Sequence, residues 1–265
     1  MKKKIKRPEY KGDVARVPYN FVHCMGKIWA VQRGRIRDFR PAPWIIGDSF
    51  FNLYEPYSLS SGDLQNYLAL LHVLQHPREY SVVQDEYSSD KYKMTLRMRA
   101  LYDILQIPDG GSRRSDLKES ILNHAGTMLR VTRPENDIIY YGLGLHAGIV
   151  KFKGIGRGGS VCELHPDKGL IDNSGLTENI TRILTYKYGM SKLIDFLVMG
   201  KLDAGVDLSY RGWMEALTRE GRIDHFKRDF EPALEEISIE DFMVEVREDG
   251  VKIKYKSSKQ KALSS

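Results

Sequence analysis

Only two cysteines, Cys24 and Cys162, occur in 265 residues, and they lie far apart in the chain. That leaves neither a disulfide lattice nor a zinc framework, and it suits a reducing cytoplasm. Long apolar runs are also missing. Nothing approaches the roughly 18–20 residues that a bilayer-spanning helix needs, and the mean hydropathy is −0.42, so no membrane partner is expected. The start, MKKKIKRPEY, is basic but has no apolar stretch behind it, so secretion is not expected either.

Catalytic signatures are equally sparse. No GxSxG, P-loop, CxxC, HRD or DFG motif is present, which removes the common hydrolase, nucleotidase and kinase arrangements. His72 and His76 have i, i+4 spacing, but the HExxH glutamate is missing, so both read as structural histidines and no metal is expected. The run GIGRGGSV at 154–161 satisfies a dinucleotide fingerprint through Gly154, Gly156 and Gly159. Such a site needs a helix to open there, whereas CELHPDKG follows and Pro166 is close behind. A hairpin turn is the better reading. Fifteen tyrosines are present, but the paired-histidine motif of nicking enzymes is not, so no tyrosine nucleophile stands out. No cofactor is implied, and the chain is expected not to be an enzyme.

What is present is charge, unevenly spread. The formal net charge is +6, yet residues 1–40 hold 12 Lys and Arg against 3 Asp and Glu, and residues 250–265 hold 5 against none. Residues 41–249 keep 24 basic and 32 acidic residues. The body is therefore acidic, and any polyanion must be met by local patches or by the ends.

Hydrophobic periodicity sets out an α+β chain. Residues 14–54 alternate aromatic and β-branched stretches with Gly34, Pro41 and Pro43 and read as a β-rich arm. Ser60 to Asp63 offer N-caps for a helix whose Leu64, Tyr67, Leu68, Leu71 and Leu74 recur at helical spacing until Pro77. A strand near Tyr92–Leu96, with Thr95 as N-cap, leads to a short helix with Met98, Leu101, Ile104 and Leu105 inward. After Pro108-Asp109-Gly110-Gly111 a second helix is expected from Ser112 to Ala125. Strand-like segments at 127–132, 138–141, 149–153 and 160–164 follow, so helix pair and hairpins read as a winged helix.

The outline recurs. A helix over 176–201, bent at Gly189, precedes VDL at 206–208 and SYRGWMEAL. A turn at Gly221 follows, then a helix capped by Asp224 running to about Ile237, and a hairpin over 241–246 and 251–255. A shift of 112 places Arg99 on Arg211, Leu101 on Trp213 and Leu105 on Leu217, and one more residue places Leu117 on Phe230 and Ile121 on Leu234. The expected domains are a basic arm over 1–57, winged helices over 58–165 and 170–256, and a basic disordered tail over 257–265.

In a helix-turn-helix the second helix presents its N-terminal residues to base edges. Ser112, Arg113, Arg114 and Lys118 hold that place in the first copy, and Arg222, His225, Lys227 and Arg228 in the second. Arginine can bond both O6 and N7 of guanine, while hydroxyls take phosphates. Lys151, Lys153 and Arg157 near the glycine run, and Lys252 and Lys254 in the last hairpin, could neutralise phosphates.

Through SSGDLQNYLALLHVL, MRALYDILQIPDGGSRRSDLKESILNHAGTMLRVT, ILTYKYGMSKLIDFL, VDLSYRGWMEAL and DHFKRDFEPALEEI, the chain resembles the tandem winged-helix replication initiators of iteron-containing plasmids, the Rep and TrfA-like proteins. The resemblance spans about 58–256. It implies sequence-specific binding of double-stranded DNA at origin repeats, a monomer–dimer equilibrium, and recruitment of host initiator and helicase. The long arm departs from the pattern, as do Asp229, Glu231, Glu235 and Glu236 in the last long helix. A dimeric repressor, a winged-helix interaction scaffold, and an enzyme assembled from scattered residues are the alternatives.

Overall fold

The computed structural model describes residues 14–17, 28–30, 44–46, 49–55, 59–108, 112–132, 138–142, 150–154, 160–172, 176–199, 205–219, 221–239 and 242–256. Helix α1 (Ser61–Gln75) opens with a reciprocal capping box. The Asp63 amide donates to Ser60 Oγ at 3.2 Å, and the Ser60 amide donates to Asp63 Oδ2 at 2.8 Å. The expected face Leu64, Tyr67, Leu68, Leu71 and Leu74 is buried, and so are Ala69, Leu70, His72 and Val73. A helix apolar on every side belongs inside a protein, and α1 is the axle on which both halves of the chain pack.

The first half continues with strands β6 (Val83–Glu86) and β7 (Tyr92–Arg97), helices α2 (Met98–Ile104) and α3 (Ser112–Gly126), the hairpin β10 (Lys151–Gly154) with β11 (Ser160–Leu164), and the short helix α4 (Lys168–Asp172). Their sheet has the order β10-β11-β7-β6 and is antiparallel throughout. Thr95 does not cap α2. It lies inside β7, and Arg97 occupies the N-cap without a side-chain bond.

Between α3 and that hairpin, β8 (Met128–Thr132) and β9 (Ile138–Gly142) leave the module. They join β3 (Trp44–Ile46) and β4 (Ser49–Glu55) in the sheet β3-β4-β8-β9. The segment read as an arm thus supplies strands to the body. It does so again where β2 (Trp29–Ala30) pairs in parallel with β5 (Leu59–Ser60), and where β1 (Val14–Val17) pairs with β12 (Leu176–Asn179). This last pairing corrects the expected helix from 176. Its first four residues form a strand because β1 offers a free edge, and helices α5 (Ile180–Thr185) and α6 (Gly189–Met199) follow. Gly189 begins α6 where a Cβ would collide with the Ser61 side chain at the start of α1.

The second half has β13 (Val206–Ser209), α7 (Tyr210–Ala216), α8 (Ile223–Ile239), β14 (Phe242–Val246) and β15 (Gly250–Tyr255), with sheet order β13-β15-β14. In both halves the last strand of the hairpin lies between its partner and the strand preceding the helix pair. Asp224 falls inside the first turn of α8, which starts one residue earlier than expected.

The repeat is visible at single hydrogen bonds. The Leu105 and Leu217 amides bond the Leu101 and Trp213 carbonyls, both at 2.9 Å. The next residues, Gln106 and Thr218, are left-handed at φ 52° and 53°. Then the Ile107 and Arg219 amides reach back to the Tyr102 and Met214 carbonyls at 2.8 and 2.7 Å, the helix-ending pattern that satisfies the last carbonyls. Every equivalent pair keeps the offset of 112 predicted from the sequence.

Candidate nucleic-acid interface

Apolar side chains fix the two second helices from below. In α3, Leu117 and Ile121 are buried, and in α8 Phe226, Phe230, Leu234 and Ile237 are. Trp213 closes the second core, its indole N–H donating to the Val251 carbonyl at 2.8 Å. The polar residues of each first turn are left on the outside by the same periodicity.

The cations placed at these turns by sequence divide into two kinds. Ser112 and Arg113 are exposed at the start of α3. Arg114 instead lays its guanidinium over the Tyr102 ring, 4.4 Å from the centroid, and Lys118 sits 5.6 Å from the Phe152 ring on β10. In α8, His225 and Arg228 are exposed. Arg222 forms a bidentate pair with Asp224 at 2.9 and 3.1 Å, and the Lys227 ammonium lies 3.9 Å from the Tyr210 ring centroid. Such aromatic platforms hold the heads of long cations in place. Tyr102, Phe152 and Tyr210 carried no sequence signal of that role.

The acidic residues of α8 are partly accounted for. Asp229 accepts from Arg219 at 2.7 Å, and Glu236 accepts from the Lys187 and Tyr188 amides and from Ser191 Oγ. Both are turned to the module's own framework. Glu231 and Glu235 remain exposed.

On the hairpins, Lys151 and Lys153 are exposed along β10, and Lys254 is exposed on β15. Lys252 is half-buried, 3.4 Å from Asp207, which also pairs with Arg247. Arg157 lies outside the described residues. Sequence reasoning missed Lys93 and Arg97 of β7, which are brought beside β11 only by strand pairing.

His72 and His76 have structural partners. His72 Nε2 shares a 2.9 Å hydrogen bond with the Tyr80 hydroxyl, and His76 Nδ1 contacts the His72 carbonyl at 2.8 Å. Cys162 is buried, and burial pushes its thiol up to about 12. No helix among the described residues is long and apolar enough to cross a membrane.

The paired topology around a shared central helix has a counterpart among solved structures. Its fold is similar to domains 2 and 3 of RctB. A crystal structure of a selenomethionine derivative of those domains matches with a TM-score of 0.57 at 13% identity, covering 89% of this chain and 97% of that one. A second crystal structure of RctB domains 2–3 gives 0.52 at 12% identity over 84% and 92%. The likeness to RctB is one of fold. No protein-family model and no curated protein sequence matches the chain.

Proposed function

We propose that this chain is a replication initiator that binds double-stranded DNA through two winged helices, with no catalytic step of its own. The observation that carries the proposal is the match to both RctB domains together, over nine-tenths of the chain, since RctB is a replication initiator. The exposed cations agree with it. Arg113 on α3, and His225 and Arg228 on α8, stand where the second helix of a helix-turn-helix enters the major groove. Lys254 and the basic chain ends supply backbone neutralisation without sequence information.

On this reading the sites are repeated origin sequences of plasmid type. The protein works in the cytoplasm, exchanges between monomer and dimer, and recruits host initiator and helicase. Each module reads part of an asymmetric site of roughly two helical turns.

Selection of random duplex DNA by the purified protein at about 150 mM salt, followed by sequencing, tests the proposal. A long asymmetric consensus is expected. Arg113→Ala and Arg228→Ala should each weaken binding to it by about 1–3 kcal/mol while relaxing specificity at different positions. A retained pool without any consensus would refute sequence-specific initiation.

A further inference from the structure

The outer face of the first module's sheet gathers cations around one recessed carboxylate. Glu163 on β11 stands directly across from Lys151 on one side and from Thr95 on the other. Side chains two residues apart share a face, so Lys153, Lys93 and Arg97 lie on this face too. Lys93 is 4.0 Å and Lys153 3.7 Å from Glu163 Oε2, and Lys151 is 3.7 Å from Oε1. The Glu163 side chain is 12% exposed, whereas the three lysines are 41–63% exposed.

Those separations exceed the roughly 2.7–2.9 Å of a charge-assisted N–H···O bond. The contrast within the same molecule is Arg182 with Asp195, at 2.6 and 2.8 Å. Glu163 therefore holds three ammonium groups near one another without using up their donors. Its carboxyl is held below the ordinary range because Lys93, Lys151 and Lys153 outweigh the opposing effect of burial, so it stays charged at neutral pH.

Beneath the cluster lies His165, 4% exposed. Neither of its ring nitrogens has a hydrogen-bond partner among the described residues, although Nε2 is 3.8 Å from Glu163 Oε1. A buried polar group in that state calls for a ligand or a water. Tyr87 stands edge-on against the imidazole.

We propose that this face is a second binding site for the phosphates of a nucleic-acid backbone, formed by Lys93, Lys151 and Lys153 and restrained by Glu163. It rests on the DNA-binding reading and adds a surface to it. Lys118 of α3 reaches β10 from the opposite face, over Phe152, so cations flank the edge strand on both sides. A backbone following that edge meets both. Glu163 lowers the resting charge of the site and keeps the lysines spread, which favours a polyanion that can engage several of them over a single small ion.

Fluorescence anisotropy of the full chain with a random-sequence duplex, titrated from about 50 to 300 mM NaCl, tests the site. Glu163→Gln is expected to tighten binding several-fold. Lys93→Ala and Lys153→Ala, both at exposed positions, should each lower the slope of log K against log salt by about 1, with unchanged thermal melting as the folding control. If wild type binds no duplex, the DNA-binding reading falls and the site with it. If wild type binds, and Arg113→Ala weakens it while the Lys93, Lys153 and Glu163 variants do not differ from wild type, this site alone is refuted. If the three variants alter binding of polyglutamate but not of duplex, the face serves an acidic protein and the proposal is overturned.

Discussion

Between about pH 7.5 and pH 4.5 the folded state is expected to lose about 2.5 kcal/mol through His124 alone. This imidazole is buried where the two halves and the arm meet. It stacks on Tyr67 of α1, and Trp29 of β2 packs against His124, Tyr67 and Phe196 of α6. Its Nδ1–H donates to the Ser120 carbonyl at 2.7 Å, and its Nε2 accepts from the Trp29 indole N–H at 3.0 Å. Both nitrogens are thus committed to the neutral ring. A second proton would replace the acceptor facing Trp29 with a donor. Burial lowers the group from 6.5 to about 4, with Asp63 and the Ser120 carbonyl opposing it.

Because the folded value lies below the unfolded one, the unfolded chain takes up the proton first as pH falls. The stabilisation is complete above about 6.5 and is lost progressively toward 4, with a limiting slope of about 1.4 kcal/mol per pH unit. Urea unfolding followed by tryptophan fluorescence at several pH values measures it. His165, also lowered by burial, adds a change of the same sign, so the diagnostic quantity is wild type minus His124→Gln. Glutamine can accept from Trp29 but does not titrate, and that difference should shrink by about 2.5 kcal/mol over the interval. Asp63, held below 3.8 overall, acts only at lower pH. Parallel stability curves for the two proteins would refute the argument.

Asp195→Asn should cost about 3–5 kcal/mol in urea unfolding, because it leaves the buried Arg182 guanidinium without its counter-charge between the Phe242 and Tyr255 rings. Thr218→Gly is expected to raise stability by about 1 kcal/mol, since a β-branched residue at φ 53° is strained where glycine is not; Gln106→Gly should do the same in the first half, and no gain in thermal melting at either site would argue against the shared turn. For duplex DNA, log K against log salt should have a slope near −5 if about six phosphates are neutralised, and a slope near zero would remove DNA binding altogether.

The local elements and the recurrence of the outline follow from short-range residue patterns. Capping at Ser60 and the 3.6-residue periods of α1, α3 and α8 are properties of neighbouring residues, and the offset of 112 follows from setting two such local patterns side by side. None of them needs to know which segments meet in the folded chain, so each was legible. The long-range pairings were not. Leu176–Asn179 becomes a strand only because Val14–Val17 lies alongside, and Met128–Thr132 leaves its module only because Ser49–Glu55 receives it. A strand edge carries no sequence record of a partner more than seventy residues away.

The same division runs through the candidate sites. That Arg113 and Arg228 face outward follows from helical periodicity around a buried stripe. That Arg114 and Lys227 rest on Tyr102 and Tyr210, or that Lys93 joins Lys151 and Lys153 around Glu163, depends on register between strands and on packing between helices. A shift of one residue in that register would turn the lysines to the opposite face. Tertiary structure alone decided which charges stand together.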